Sequence, residues 1–134
     1  MVVGSGGHQS GPSVALWSGG GLVAWENSSS TGTKRIAVQA LNGQGRGTGA
    51  VQVISQNVDR VNDTDPTIAQ VDESTAVVVW SSGRRGNSDV YLALVARNGA
   101  RLGEIQRVNQ QTSRNQGEPA VSVSADGTIM VVWE

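Results

Sequence analysis

Eleven acidic side chains carry most of the potential chemistry of this 134-residue sequence. Asp59, Asp63 and Asp65 crowd the stretch QNVDRVNDTDP together with Asn57 and Asn62, and several oxygen ligands on one turn could hold Ca²⁺. The glycine and the distal bidentate glutamate of a Ca²⁺ loop are missing, so a polar link built on Asx turns is the favoured reading and no metal ligand is assigned. His8 is the only histidine, in a Gly/Ser-rich stretch with no convergent partner nearby in sequence, and it reads as a solvated linker residue. Arg84 and Arg85 could engage an anionic ligand; the competing reading is a structural Arg84–Asp89 pair beside a solvated Arg85. Trp17, next to Gly19-Gly20-Gly21, could offer a stacking platform, the alternative being extra packing against neighbouring structure. Trp17, Arg84 and Arg85 are therefore the candidate ligand-binding residues. No nucleophile–base–orienter set and no phosphate-cradling loop emerges, so the sequence names no catalytic residue, implies no cofactor and predicts a non-enzyme.

The elements that must position these residues are repeated. Pro12–Trp25 (PSVALWSGGGLVAW), Pro66–Trp80 (PTIAQVDESTAVVVW) and Pro119–Trp133 (PAVSVSADGTIMVVW) share one pattern. Prolines stand at 12, 66 and 119 and tryptophans at 25, 80 and 133, a period of 53–55 residues that signals a solenoid, propeller or array. RIAVQALNG (35–43) answers YLALVARNG (91–99), which sets the Asn-Gly pairs 42–43 and 98–99 in register.

Each copy resolves into four short extended segments. In the second copy these are Thr67–Val71, Thr75–Trp80, Asp89–Ala96 and Glu104–Asn109, with a turn at 72–74, a polar loop at 81–88 and an Asn98-Gly99 hairpin turn. The unbroken β-branched run TAVVVW suits a strand covered on both faces. Proline opening the first segment is tolerated because its missing N–H falls at a strand start. A lone meander cannot cover both of its faces, so copies must stack. The fold class predicted is all-β: four-stranded antiparallel meanders stacked as β-propeller blades, about two and a half in this chain. The expected divisions are an N-terminal strand remnant or linker at 1–11, in which Met1-Val2-Val3 supplies a stray fourth strand, then blade 1 at 12–61, blade 2 at 62–115 and the first half of blade 3 at 116–134. The repeat anchors are Pro12, Trp25, Pro66, Trp80, Arg84, Asp89, Pro119 and Trp133.

Trp80-x-x-x-Arg84-x-Gly86-x-x-Asp89-Val90-Tyr91, followed by Asn98-Gly99, resembles a repeat of large bacterial exported proteins that is similar to β-propeller blades. The likeness covers 12–134 and its motifs mark a fold. It implies that Arg84 and Asp89 flank the loop between the second and third strands and pair across it. Ser82 stands where an Asp is usual, and Asn27–Lys34 in the first copy carries neither charge of the pair, so a looser loop is expected there. Ser124-Ala125-Asp126-Gly127-Thr128 is similar to the Asp-box of sialidase-type propellers, with its glycine one place early; an Asp-Gly hairpin turn is the simpler reading.

Ten basic against eleven acidic residues leave no electrostatic footprint for nucleic acid or an anionic membrane, and no run approaches the ~18 apolar residues of a membrane span. With no cysteine, disulfides and thiol chemistry are excluded. Asn27-Ser28-Ser29 and Asn62-Asp63-Thr64 match the glycosylation sequon, a pattern that polar loops produce by chance. Two and a half blades cannot close a ring, so the expected partners are further copies of the chain (a homo-oligomer) or the rest of a longer propeller, and a possible glycan. The family implies an extracellular or surface location in bacteria, with any targeting signal outside this sequence. The function expected is a non-catalytic structural or interaction module. A carbohydrate-binding propeller using Trp17 is one alternative. A glycosidase fragment is the other; it requires two carboxylates on one cleft, with Asp72, Glu73, Asp89 and Asp126 as the groups to inspect. The first-strand cores (13–16, 67–70 and 120–123) are uncharged, which argues against a catalytic channel.

Overall fold

The computed structural model describes residues 7–55 and 61–134. Its strands, in chain order, are β1 (Gln9–Trp17), β2 (Gly20–Ser28), β3 (Lys34–Asn42), β4 (Gly47–Val53), β5 (Asn62–Gln70), β6 (Thr75–Arg84), β7 (Asn87–Ala96), β8 (Arg101–Arg107), β9 (Ala120–Val123) and β10 (Ile129–Val132). They form three sheets among the described residues, β1-β2-β3-β4, β5-β6-β7-β8 and the pair β9-β10, antiparallel throughout. The all-β, antiparallel expectation holds, and among the described residues no sheet closes on itself. Among them no helix is long and apolar enough to cross a membrane.

Apolar residues on both faces of the middle strands force the sheets to stack. Leu22, Ala24, Ile36 and Val38 of the first sheet meet Ala76, Val78, Trp80 and Val95 of the second in one core. Val77, Val79 and Val90, on the second sheet's other face, pack against Val121, Val123, Ile129 and Val131 of the third. Trp80 is therefore the filler of the first junction, as expected of the repeated tryptophan. Trp25 occupies the same strand position on the first sheet's outer face with Val23 and Ala37, and Trp133 remains 38 % exposed.

The stack is apolar at both ends. Val14, Leu16 and Val53 are exposed. All three lie on the Trp25 face, because Val14 pairs with Val23 and Val53 with Ala37, the cross-strand partner of Trp25. Met130 and Val132 are exposed on the opposite side of the third sheet from Ile129 and Val131, and Leu102 is exposed beside Leu94 on the second sheet's third-sheet side.

Several local expectations change. The first strands begin before their prolines: β1 starts at Gln9, inside the segment assigned to a linker, and β5 starts at Asn62. Pro12 and Pro66 sit where the ladder slips, between Ser10 and Ser13 and between Thr64 and Thr67, so a bulge rather than a strand start accommodates the missing N–H. The residue ahead of each repeat proline is left-handed: Gly11 at φ 57°, Asp65 at 55° and Glu118 at 48°. For the two acidic residues that conformation costs about 1–3 kcal/mol each, which surrounding contacts must offset. Residues 81–88 are not an open loop, because β6 and β7 continue to a tight turn at Arg85-Gly86. The Asn-Gly pairs are also out of register. Trp25 faces Ala37 and Trp80 faces Tyr91, so Gly45 corresponds to Gly99. Both take positive φ, and each donates its N–H to the carbonyl three residues back. Met1–Val3 lies outside the described residues.

Replacing Trp80 with Ala is expected to cost about 3–5 kcal/mol in urea unfolding, because the void opens inside the first junction. Trp133→Ala, which removes a side chain already 38 % exposed, should cost roughly half of that or less.

Candidate functional site

Two junctions between sheets can be compared residue by residue, since Ser10 pairs with Glu26 in the first sheet and Thr64 with Ser81 in the second. At the first junction the Glu26 side chain, only 5 % exposed with its residue, joins three segments. Its Oε2 accepts from Ser10 Oγ at 2.8 Å and Lys34 Nζ at 2.6 Å, and its Oε1 accepts the backbone N–H of Asp65 at 3.0 Å across to the second sheet. Burial alone would raise the Glu26 pKa, but the Asp65 N–H, the Lys34 and Ser10 hydrogen bonds and the Lys34 charge outweigh it and hold the group below its ordinary value.

At the second junction every member of that latch is replaced by a different residue. Ser81 stands for Glu26, Thr64 for Ser10, Ser88 for Lys34 and Glu118 for Asp65, by the strand registers and the repeat prolines. The long carboxylate and ammonium are gone, and a cleft of about 340 Å³ opens there, lined by all four replacements together with Asp65, Arg84 and Arg85. Its volume lies in the range of small-molecule sites, ~300–1,000 Å³. Ser81 is 3 % exposed and its Oγ has no hydrogen-bond partner among the described residues. Ser88 Oγ donates to Asn115 Oδ1 and Gln116 O at the rim. Asp65 accepts from Thr64 Oγ1 at 2.8 Å.

The cleft therefore gathers Arg84 and Arg85, as an anion reading requires, with two carboxylates: Asp65, which the sequence offered only as a possible Ca²⁺ ligand, and Glu118, which it did not single out. Neither was read as a cleft carboxylate, because the first strands were expected to begin at or after the prolines, which left these strands free of charge; both residues precede those prolines. The signal was available: Gly11, Asp65 and Glu118 hold one repeat position, acidic in two copies. Glu26, Ser81 and Glu134, each following a tryptophan, gave a second.

Other candidates disperse. Among the described residues no ion pair joins Arg84 to Asp89; Asp89 instead accepts Asn109 Nδ2 at 2.7 Å, and Arg84 and Asp89 line a second cleft together with Ser82 and Tyr91. Trp17 packs beside the core of the first junction, and the Arg97 guanidinium lies 5.0 Å from its ring centroid, so one face of the ring is taken by the second sheet. Glu73 lines the small cleft around that pair. Asp72 and Asp126 lie at hairpin turns. Asp126 is held down to about 2 by hydrogen bonds from Ser124 and the Thr128 backbone, which is the hairpin reading of that stretch. No two of Asp72, Glu73, Asp89 and Asp126 line the same one of these clefts.

The described part of the stretch weighed for Ca²⁺ is strand, with its polar side chains already engaged within the protein. Asp63, 1 % exposed, is an inward strand residue that accepts Ser55 Oγ at 2.7 Å and lies 3.9 Å from Arg35, while Asn62 Oδ1 accepts the Lys34 N–H. Asn57 and Asp59 lie outside the described residues. Among those described, no three His, Cys, Asp or Glu side chains gather to hold a metal ion. His8 is exposed.

No known family profile matches the chain, and no curated protein matches it in sequence. In three dimensions it is similar to the endo-arabinase from Bacteroides thetaiotaomicron VPI-5482, with a TM-score of 0.60 at 18 % identity over 93 % of this chain. The chain spans 50 % of that enzyme's length. The likeness is one of fold, and the fold is propeller-type. It corrects the expectation of a non-enzyme. The structure resembled is that of a glycosidase, so the lack of a contiguous catalytic motif is no ground for excluding enzymatic work.

Glu26→Ala is expected to destabilise the chain by about 1.5–3 kcal/mol, because Lys34, Ser10 and the Asp65 N–H lose a charged acceptor. Since the folded pKa is lowered, Glu26 contributes fully above the ordinary glutamate value of 4.5 and the contribution disappears as pH falls through the lowered value. Thermal melts of wild type and Glu26→Gln should therefore converge on acidification from neutral pH.

Proposed function

We propose that the chain is a two-and-a-half-blade part of a β-propeller glycosidase, with the cleft between its second and third sheets as part of the sugar site. The observation that carries this reading is that Asp65 and Glu118, from equivalent positions of successive repeats, line one cleft. Glycoside hydrolysis needs two carboxyl groups at the scissile bond, one giving a proton to the leaving oxygen and the other activating water or attacking the sugar. The likeness to an endo-arabinase supports the choice of substrate class, with a polysaccharide of arabinan type the first to try.

The exposed apolar faces at the two ends of the stack support a ring completed by further blades, from a longer chain or from other copies. The repeat resemblance supports a setting in a bacterial exported or surface protein. Arg84 and Arg85 sit at the rim as substrate contacts, and Trp17 serves the junction between the first two sheets.

Reducing-sugar release from a polysaccharide panel that includes arabinan tests the proposal. The assembled species, its mass measured by light scattering, should hydrolyse at least one substrate. Asp65→Asn and Glu118→Gln should each lower the rate by roughly 10²-fold or more. No release by an assembled multimer, or full rates in both variants, would overturn it.

A further inference from the structure

We propose that the cleft between the second and third sheets binds the carboxylate of a uronic-acid residue, in the place that the Glu26 carboxylate takes at the first junction. The inference rests on the carbohydrate reading and narrows it to acidic saccharides. The molecule supplies its own analogue of the complex. At the first junction a carboxylate fills this position, meeting a cation, a hydroxyl and the backbone N–H of the left-handed residue before proline.

At the second junction the same backbone turn is kept, with Glu118 left-handed as Asp65 is. What is missing is the acidic side chain. Ser81 in its place is too short to reach across, and its buried Oγ is left without a partner. A buried hydroxyl without a hydrogen bond costs free energy that a bound polar group would recover. The cation is not lost but relocated. Lys34 has become Ser88, and the tight hairpin after β6 brings Arg84 and Arg85 to the cleft instead. A ligand carboxylate fits this set because guanidinium groups bind carboxylates through paired, charge-assisted hydrogen bonds. It also offsets the two arginines beside Asp65 and Glu118, which would be left free to act on the glycosidic bond.

The test is calorimetric titration of the full chain with digalacturonate, with the neutral disaccharide galactobiose and with a short glutamate-rich peptide. Digalacturonate should bind roughly tenfold or more tightly than galactobiose, and weaken with added salt. Ser81→Glu, which restores the first-junction side chain, should abolish that binding, and Arg84→Gln with Arg85→Gln should weaken it if the glutamate variant fails to fold by circular dichroism. Equal binding of galactobiose would overturn this inference while leaving the glycosidase reading intact, and hydrolysis of neutral polysaccharides alone would do the same. Peptide binding as tight as that of digalacturonate would overturn the sugar assignment. Unchanged digalacturonate affinity in a folded Ser81→Glu, or no binding of digalacturonate at all, would overturn the site.

Discussion

A strand such as β6, buried at every position from Ala76 to Ser81, sets two conditions at once. Its residues cannot be satisfied by a sheet with one wet face, and its neighbours in the same meander lie in the plane of the sheet, not above it. A second layer must cover it, and here that layer is another sheet. The rest of the architecture follows from that shortage of cover. Trp80 fills one junction, the Val77–Val79–Val90 face makes the next, and the first and third sheets are left with apolar faces at either end.

Stacking leaves a second problem, because the chain must pass from sheet to sheet and present a backbone turn at each crossing. The turn before each repeat proline is left-handed in all three copies, including two where the residue is not glycine. At the first junction a buried, charged latch organised by Glu26 holds that turn. At the second, the latch is dismantled side chain by side chain while the backbone keeps its course. What results is an opening bounded by the same geometry. A repeat protein can thus open a cleft by shortening one residue of a structural contact while the backbone turn is kept.

Much of the fold was legible because it rests on periodicity. The Pro and Trp spacing located three sheets, and the β-branched run of TAVVVW identified a strand buried on both faces. The site was less legible. Asp65 and Glu118 lie one residue before the prolines taken as strand starts; a bulge carries β5 back past Pro66 to Asp65, and a left-handed backbone marks Glu118 ahead of β9. The Arg84–Asp89 ion pair suggested by the repeat does not form among the described residues: Asp89 accepts from Asn109, and Arg84 lies on the hairpin bordering both clefts. Apparent register misled as well: two Asn-Gly pairs aligned in sequence, yet the turn geometry selects Gly45 and Gly99. In each case the deciding quantity was a backbone conformation or a cross-strand partner, which residue order alone does not fix.

The two bare ends are unlike each other: one is a tryptophan-bearing face, the other its counterpart from the far side of a repeat. Inside the molecule unlike faces are what meet, so any union through these ends would follow the same head-to-tail rule and not a two-fold rule. Growth of that kind would have no built-in stop except geometric closure. The rotation from one sheet to the next would then decide between a discrete circle and an indefinite fibre.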